Sequence, residues 1–276
     1  MCPICRLALQ QQGRTLKCPQ NHTFDIARQG YVNLLQTRKK MPETVGDSKE
    51  MLHARRDFFA QDHYAPLSDG IKDLVAQQLH KRDSSKPTLI LDVGCGEGYY
   101  LDQLADVQAF PQLCLMGMDI SKAAVRLAAR RVTNGRFFVS SVNGRIPLPD
   151  QSVFIILNIF SPRNNYEFAR LLSADRHLII VIPQSNHLET LREHFGLLQI
   201  ESDKREKIRQ ALSDTFELKT TTPIQIPLQL TNKDLENLLR MTPNARHLPA
   251  NTWEKAAAAH PISTTAAFEI LHFMRR

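Results

Sequence analysis

Two groups of residues have the types and spacing to do chemistry. The first is Cys2-Pro3-Ile4-Cys5 followed by Cys18-Pro19-Gln20-Asn21-His22, a C-x2-C…C-x3-H arrangement. Two residues between thiolates let both sulfurs of a tight turn face one ion at about 2.3 Å, and a second turn completes a tetrahedron. Cys2, Cys5, Cys18 and His22 are therefore the expected ligands of a zinc ion. Four protein ligands leave no position open to water or substrate, so this zinc would be structural. It would supply folding free energy that so short a segment cannot obtain from burial. Unrelated free thiols are the alternative, and it fits poorly: three of the five cysteines fall at turn spacing, with Pro3 and Pro19 in the turns. Cys95 and Cys114 stand apart and read as packing residues.

The second group is Leu89-Ile90-Leu91-Asp92-Val93-Gly94-Cys95-Gly96-Glu97-Gly98-Tyr99-Tyr100. An apolar strand runs into a turn whose glycines, Gly94, Gly96 and Gly98, let backbone pass close to a ligand. A dinucleotide loop of G-x-G-x-x-G form would need a third glycine where Tyr99 stands, and Glu97 would repel a pyrophosphate. D-x-G-x-G-x-G instead matches an S-adenosylmethionine loop. Asp92 could accept a hydrogen bond from the methionyl ammonium, through loop amides or water, and Asp119, ending the next strand, could accept from both ribose hydroxyls. Cys95 and, further on, Asn143 join the cofactor-contact candidates. The alternative is that the glycines only turn the chain and Asp119 only starts a helix.

The elements that must position these residues alternate. Thr88–Val93, Leu113–Met118, Arg136–Val139, Val153–Ile159 and His177–Ile182 read as strands, the last an unbroken apolar run expected of a strand buried on both faces. Asp47 or Ser48 caps a helix through Phe58, a second helix spans about Pro66 to His80, and Ser121 caps a third through Arg131. Weaker strands, Phe216–Thr222 and Thr264–Met274, flank a helix near Thr231–Met241. This alternation predicts an α/β fold with a doubly wound, mainly parallel sheet. Three parts are expected: a zinc-binding module over 1–36, linker and helices over 37–86, and a cofactor-binding domain over 87–276.

Length and composition agree. The chain has 276 residues, 42% hydrophobic and 23% charged, with net charge +7, room for an α/β domain of roughly 200 residues plus a satellite. Residues 1–42 hold seven Lys/Arg against one acid, Asp25, a net of +6. Such a cluster suits a polyanion; a merely solvated face is the even alternative. Arg38, Lys39, Lys40, Arg55 and Arg56 are the candidate phosphate contacts. No apolar run approaches the ~18 residues of a membrane span. The first residues lack a secretion signal's apolar stretch, and the thiol usage suits a reducing compartment, so a cytoplasmic protein without a membrane partner is expected.

These residues resemble the bacterial large-subunit ribosomal RNA (guanine-N1)-methyltransferases, the RlmA family. The likeness is nearly full-length and rests on the finger with Phe24-Asp25 and Gly30-Tyr31-Val32-Asn33-Leu34-Leu35, on Gly46-Asp47-Ser48-x-Glu50-Met51-x3-Arg55-Arg56, on His63-Tyr64-x-Pro66-Leu67, on the glycine loop, on Asp119-x-Ser121-Lys122 and on Met241-Thr242-Pro243. The resemblance implies a Rossmann-like class I methyltransferase with a seven-stranded sheet, a finger that helps grip an RNA hairpin, and a homodimer. It also implies that Tyr64, Tyr99, Tyr100 and His187 line the S-adenosylmethionine pocket.

Methyl transfer to guanine N1 needs that nitrogen unpaired and deprotonated, so the target should lie in a loop or be flipped out against an aromatic ring. Asn158 and Phe160, at the carboxyl end of the Val153–Ile159 strand, are the candidate catalytic positions: Phe160 to stack on the base, and Asn158 or the Ser161 region to hold its Watson–Crick edge. Phe160 packing the sheet edge is the alternative. Asp47 and the Asn143 region are the candidates for a general base. A small-molecule methyltransferase would have no use for a basic zinc module, and a non-catalytic RNA-binding protein none for an intact cofactor loop.

Overall fold

The computed structural model describes residues 1–36, 46–83, 85–105, 112–242, 245, 248, 251–258 and 261–276. The chain opens with a ribbon of three short antiparallel strands, β1 (Gln10–Gln12), β2 (Thr15–Lys17) and β3 (Thr23–Asp25). The next strand, β4 (Tyr31–Asn33), leaves the ribbon and joins the large sheet. Two helices follow, α1 (Lys49–Phe59) and α2 (Ala65–His80). Ser48, not Asp47, caps α1, its side chain accepting from the Met51 amide at 3.2 Å.

The alternating part runs β5 (Thr88–Val93), α3 (Tyr99–Leu104), β6 (Leu113–Asp119), α4 (Lys122–Arg131), β7 (Arg136–Val139), β8 (Val153–Ile159), α5 (Asn165–Leu171) and β9 (Leu172–Pro183). After α6 (Glu189–Phe195) and α7 (Lys204–Leu212) come β10 (Phe216–Leu230), α8 (Asn232–Arg240), α9 (Thr252–Ala258) and β11 (Ile262–Arg275). The sheet order is β10-β11-β9-β8-β5-β6-β7-β4. β11 is antiparallel to β9 and β10, and the other pairings are parallel. The expected seven strands are all present, and β4 adds an eighth at the edge beside β7. The expected Phe216–Thr222 strand continues to Leu230. Pro223 and Pro227 read as breakers, but β10 is an edge strand, where a missing backbone donor can face solvent.

Every residue of β8 is buried, as are Leu178 to Ile182 of β9, so helices must cover both faces. One face carries Phe58, Leu67, Ile71, Leu101, Val125 and Leu238, from α1, α2, α3, α4 and α8. The other carries Phe168 and Leu171 of α5 and Ile208 and Leu212 of α7. No helix lies between β7 and β8. There Ile146 and Leu148 of the connecting loop pack in the same cluster as Leu9, Leu16, Phe24 and Ile26 of the ribbon. The ribbon thus covers sheet that a crossover helix would otherwise cover, and the Met1 ammonium donates to Pro147 O at 2.8 Å. Strand order reverses at β5, where β6 and β7 leave one way and β8 and β9 the other. The crevice at the carboxyl ends of the strands at such a point is where open α/β sheets bind ligands.

Candidate active site and zinc centre

The ribbon's two turns face each other. The Arg6 amide donates to Cys2 O at 2.9 Å and the Asn21 amide to Cys18 O at 2.9 Å. Both Arg6 and Asn21 take positive φ, 63° and 62°, which reverses the chain sharply enough to aim each turn's side chains inward. The ligand atoms of Cys2, Cys5, Cys18 and His22 lie within 4.8 Å of one another. His22 Nδ1 is 3.6 Å from Cys2 Sγ and 3.4 Å from Cys18 Sγ, and Cys5 Sγ is 3.5 Å from Cys18 Sγ. Three thiols and one imidazole converging on a point form a donor set that fits a closed zinc site.

At the carboxyl ends of β5, β6, β8 and β9 lies a cavity of about 770 Å³. Of the residues expected at the cofactor, Tyr64, Tyr99, Tyr100, His187 and Asn143 line it, as do Asp92, Gly94, Cys95, Gly96 and Asp119. Gly98 does not. Its φ is +87°, and a Cβ there would meet the Cα and Cβ of Ala128 in α4 at 3.0 Å. Gly98 is a packing glycine that lets α4 approach the loop. Gly94, at φ +85°, lines the cavity, yet its Cβ would strike the Cβ of Ser161 at 2.4 Å. The loop glycines therefore serve close approach between protein segments as well as to a ligand.

The loop is tied down by carboxylates. Asp119 accepts from the Gly96 amide at 3.0 Å and from the Ser121 amide at 2.8 Å, linking β6 to the turn and to the start of α4. Glu97, nearly fully buried, is ion-paired with Arg131 of α4. Its charge is thus met within the protein. Asp92 is also buried, and its Oδ1 has no hydrogen-bond partner. Burial, with the Asp119 charge adding to it, pushes its carboxyl up to about 8. Burial also raises Asp119. An orphaned buried carboxyl oxygen beside a second carboxylate is a site short of a cation. These residues fit S-adenosylmethionine, which carries an ammonium and a sulfonium.

Aromatic rings form the adjoining wall. Phe59 stacks on Tyr99 at 4.2 Å between centroids and meets Tyr100 at 6.0 Å. Burial pushes the Tyr99 phenol up to about 12 and holds Tyr64 well above its ordinary range, so both are neutral donors at neutral pH. His187 Nδ1 accepts from the Ala267 amide at 3.2 Å. Burial, then the Arg192 charge, lowers its pKa to about 4. The ring is neutral, with the proton on Nε2.

Phe160 lies at the same cavity, 46% exposed, its ring 5.1 Å from Phe268. Its φ is +53°, a conformation that bulky residues adopt only when the surroundings impose it and that gathers at functional sites. Asn158, by contrast, is fully buried and outside the cavity lining. Its Nδ2 donates to Ser161 Oγ, to Pro162 O at 3.0 Å and to Val93 O at 3.4 Å. That places it as a brace holding the β8 exit against the glycine loop, rather than as a group touching a base.

Arg55, expected at a phosphate, turns inward. It is ion-paired with Asp47, donates to Met241 O at 3.1 Å and lines the cavity. Asp47, the general-base candidate, is thereby engaged. Arg56 is half-exposed and paired with Asp57 at 3.1 Å. Arg38, Lys39 and Lys40 lie outside the described residues. Sequence reasoning missed Phe59, Phe268, Arg163, Arg192 and Lys204, which also line the cavity. No local motif marks them; they come from helices and strands that meet there only in the fold.

A profile described as RlmA, N-terminal, a zinc ribbon, matches residues 1–42, and one described as Methyltransferase domain matches residues 90–176. A putative 23S rRNA (guanine-N(1)-)-methyltransferase of Micromonospora griseorubida is 37% identical over 99% of this chain and 96% of its own length. The 23S rRNA (guanine(748)-N(1))-methyltransferase of Streptomyces fradiae is 33% identical over 89% of this chain and 85% of its own. A putative 23S rRNA (guanine-N(1)-)-methyltransferase of Bacillus subtilis is 31% identical over 90% and 87%. A closed Cys3His ribbon, an S-adenosylmethionine-dependent methyltransferase sheet and likeness along nearly the whole length agree, and this chain belongs to the family of 23S rRNA (guanine-N1)-methyltransferases.

Proposed function

We propose that the chain transfers a methyl group to N1 of a guanine in a hairpin loop of large-subunit ribosomal RNA. The observation that carries this reading is a cavity lined both by the Asp92–Gly96 cradle with Asp119 and by the exposed, left-handed Phe160. S-adenosylmethionine supplies an electrophilic methyl when bound. The protein's task is then to hold the acceptor nitrogen in line and keep water out. Asp92 would meet the methionyl ammonium, Asp119 the ribose hydroxyls, and Tyr64, Tyr99, Tyr100, Asn143 and His187 the remaining walls. Phe160 would carry the flipped guanine on its ring, with Asn158 fixing the loop that presents Phe160.

Cys2, Cys5, Cys18 and His22 are assigned to the structural zinc, and the module of residues 1–36 to gripping the hairpin, with Arg38, Lys39, Lys40 and Arg56 as phosphate contacts. A homodimer and a cytoplasmic location belong to the same reading. Among the described residues no helix is long and apolar enough to cross a membrane. Sedimentation of the purified chain would read the dimer.

Phe160→Ala tests the stacking role. Base–aromatic stacking is worth about 1–3 kcal/mol, so kcat/KM for an rRNA hairpin should fall roughly 5- to 150-fold. Phe160→Tyr should retain most of the activity. Primer extension on rRNA treated in vitro maps the product, because a methyl on N1 halts reverse transcriptase. Unchanged kinetics in Phe160→Ala would reject the stack, and the absence of any new stop with wild-type enzyme would reject the proposed reaction.

A further inference from the structure

The cavity is electrically divided. Its carboxylates, Asp47, Asp92, Glu97 and Asp119, come from β5, β6 and the segments beside them. Arg163, Arg192 and Lys204 line it from the segments after β8 and β9, across the point where strand order reverses. The acidic end suits a cationic cofactor. The basic end is less well balanced: the Glu201 carboxylate acts on Lys204 from a distance without forming an ion pair with it. Among the described residues, neither Arg163 nor Lys204 makes an ion pair, and the nearby Glu201 is paired instead with Lys207 at 2.9 Å. Arg192 is 7% exposed, and its Nε and Nη1 have no hydrogen-bond partner.

Partly burying two cations close together is unfavourable. Burial lowers Arg163, and burial and then Arg163 itself lower Lys204. Three cations, Arg163, Lys204 and Lys207, share the neighbouring carboxylate of Glu201, which is ion-paired with Lys207, and that excess of positive charge leaves room for an anion from outside. Arg163 and Lys204 also line a shallow depression beside α7, with Asn165, Glu201 and Lys207, so they stand at the rim where the cavity opens outward. An Arg and a Lys together match a phosphate, the first through its planar fork and the second as a point charge.

We propose that Arg163 and Lys204 seat a backbone phosphate of the RNA strand adjoining the flipped guanine, with Arg192 as a buried positive charge behind them. This rests on the proposed RNA methylation and adds to it the residues that grip the strand at the cavity mouth. A strand entering there would pass its phosphate over the two cations and its base towards Phe160.

The test uses full-length wild type, the double variant Arg163→Gln/Lys204→Gln, and Arg163→Lys, with a labelled rRNA hairpin that the wild-type enzyme methylates. Each neutralised phosphate contributes a slope of about 0.9 to the dependence of log affinity on log salt for duplex and about 0.7 for a single strand. The double variant should lose close to one such unit of slope and bind roughly tenfold more weakly at moderate salt. Arg163→Lys should keep the wild-type slope, and calorimetric S-adenosylmethionine affinity should be the same in all three. A double variant with the wild-type slope, or one that loses cofactor affinity instead, would overturn the assignment while wild-type methylation still stood. A wild-type chain that methylates no large-subunit rRNA hairpin would end the proposed function and this inference with it.

Discussion

Stripping zinc from the ribbon is expected to abolish rRNA methylation while leaving S-adenosylmethionine affinity within a few-fold of its value in the zinc-bound protein. The ribbon has little core of its own: all three residues of β1 are exposed and those of β2 only half-buried. Its turns are held by the convergence of Cys2, Cys5, Cys18 and His22. In isolated zinc fingers the metal contributes about 10–16 kcal/mol of apparent free energy, as much as the whole stability of an ordinary domain. Without the ion, β1 to β3 should lose hydrogen-exchange protection. β4 should keep it, because Tyr31 and Val32 are buried in the large sheet and paired with Phe137 and Phe138. The surface of Ile146 and Leu148 that the ribbon covers would be uncovered, lowering the melting temperature. Cys18→Ser should reproduce the effect without chelator. Zinc-free protein that methylates the hairpin at the full rate would remove the ribbon from the mechanism.

Replacing Asp92 with Asn is expected to weaken S-adenosylmethionine binding by ~10- to 100-fold, the range for losing a charge-assisted hydrogen bond worth about 1.5–3 kcal/mol. Its pH signature is more specific. Asp92 sits with its carboxyl pushed up to about 8, so in the free protein it is mostly protonated at pH 7. An ammonium arriving beside it favours the ionised form, so binding at pH 7 should release a proton. Calorimetry in buffers of different ionisation enthalpy reads that release directly. Affinity should rise with pH towards 8, then fall as the ligand's own α-amino group deprotonates near ~7.7–8.0. In Asp92→Asn the rising limb should vanish.

The folded-state shift has a second consequence. A carboxyl whose pKa is higher folded than unfolded stabilises the native state fully only below the unfolded value of 3.8, and that contribution is lost as pH rises towards about 8. Ligand-free Asp92→Asn should therefore melt at a higher temperature than wild type at pH 7. Weaker binding together with a more stable fold would mark Asp92 as a group kept at a cost for its ligand. Equal affinity and equal proton release in the two proteins would remove it from the cofactor site.

Much of the molecule was legible in one dimension because its signals are local. Cysteines two residues apart on a turn, an acid followed by three alternating glycines, and a serine before an amphipathic run each work within a dozen residues. Ser48 and Ser121 cap the helices expected of them, and Asp119 ends the expected strand and holds the Gly96 amide. Local signals do not reach a residue whose surroundings come from distant segments. Asn158 carries a polar side chain suited to a base edge, yet the fold buries it against Val93 O and Ser161. Gly98 belongs to the loop motif, but Ala128 of α4 sets the need for a glycine there. Arg55 has the sequence setting of a surface cation, yet it is ion-paired with Asp47 and donates to Met241 O.

The ligand chemistry of the ribbon, the cofactor class of the glycine loop and the βα alternation were determined by the sequence alone, since each depends on spacing along one stretch of chain. Only the tertiary structure decided that β4 leaves the ribbon to edge the large sheet, that the ribbon covers the sheet where a crossover helix is missing, and that Arg163, Arg192 and Lys204 share a cavity with four carboxylates. Strand order and burial bring together residues up to a hundred or more positions apart. Which charges are matched and which await a ligand follows from that three-dimensional neighbourhood, and adjacency along the chain does not encode it.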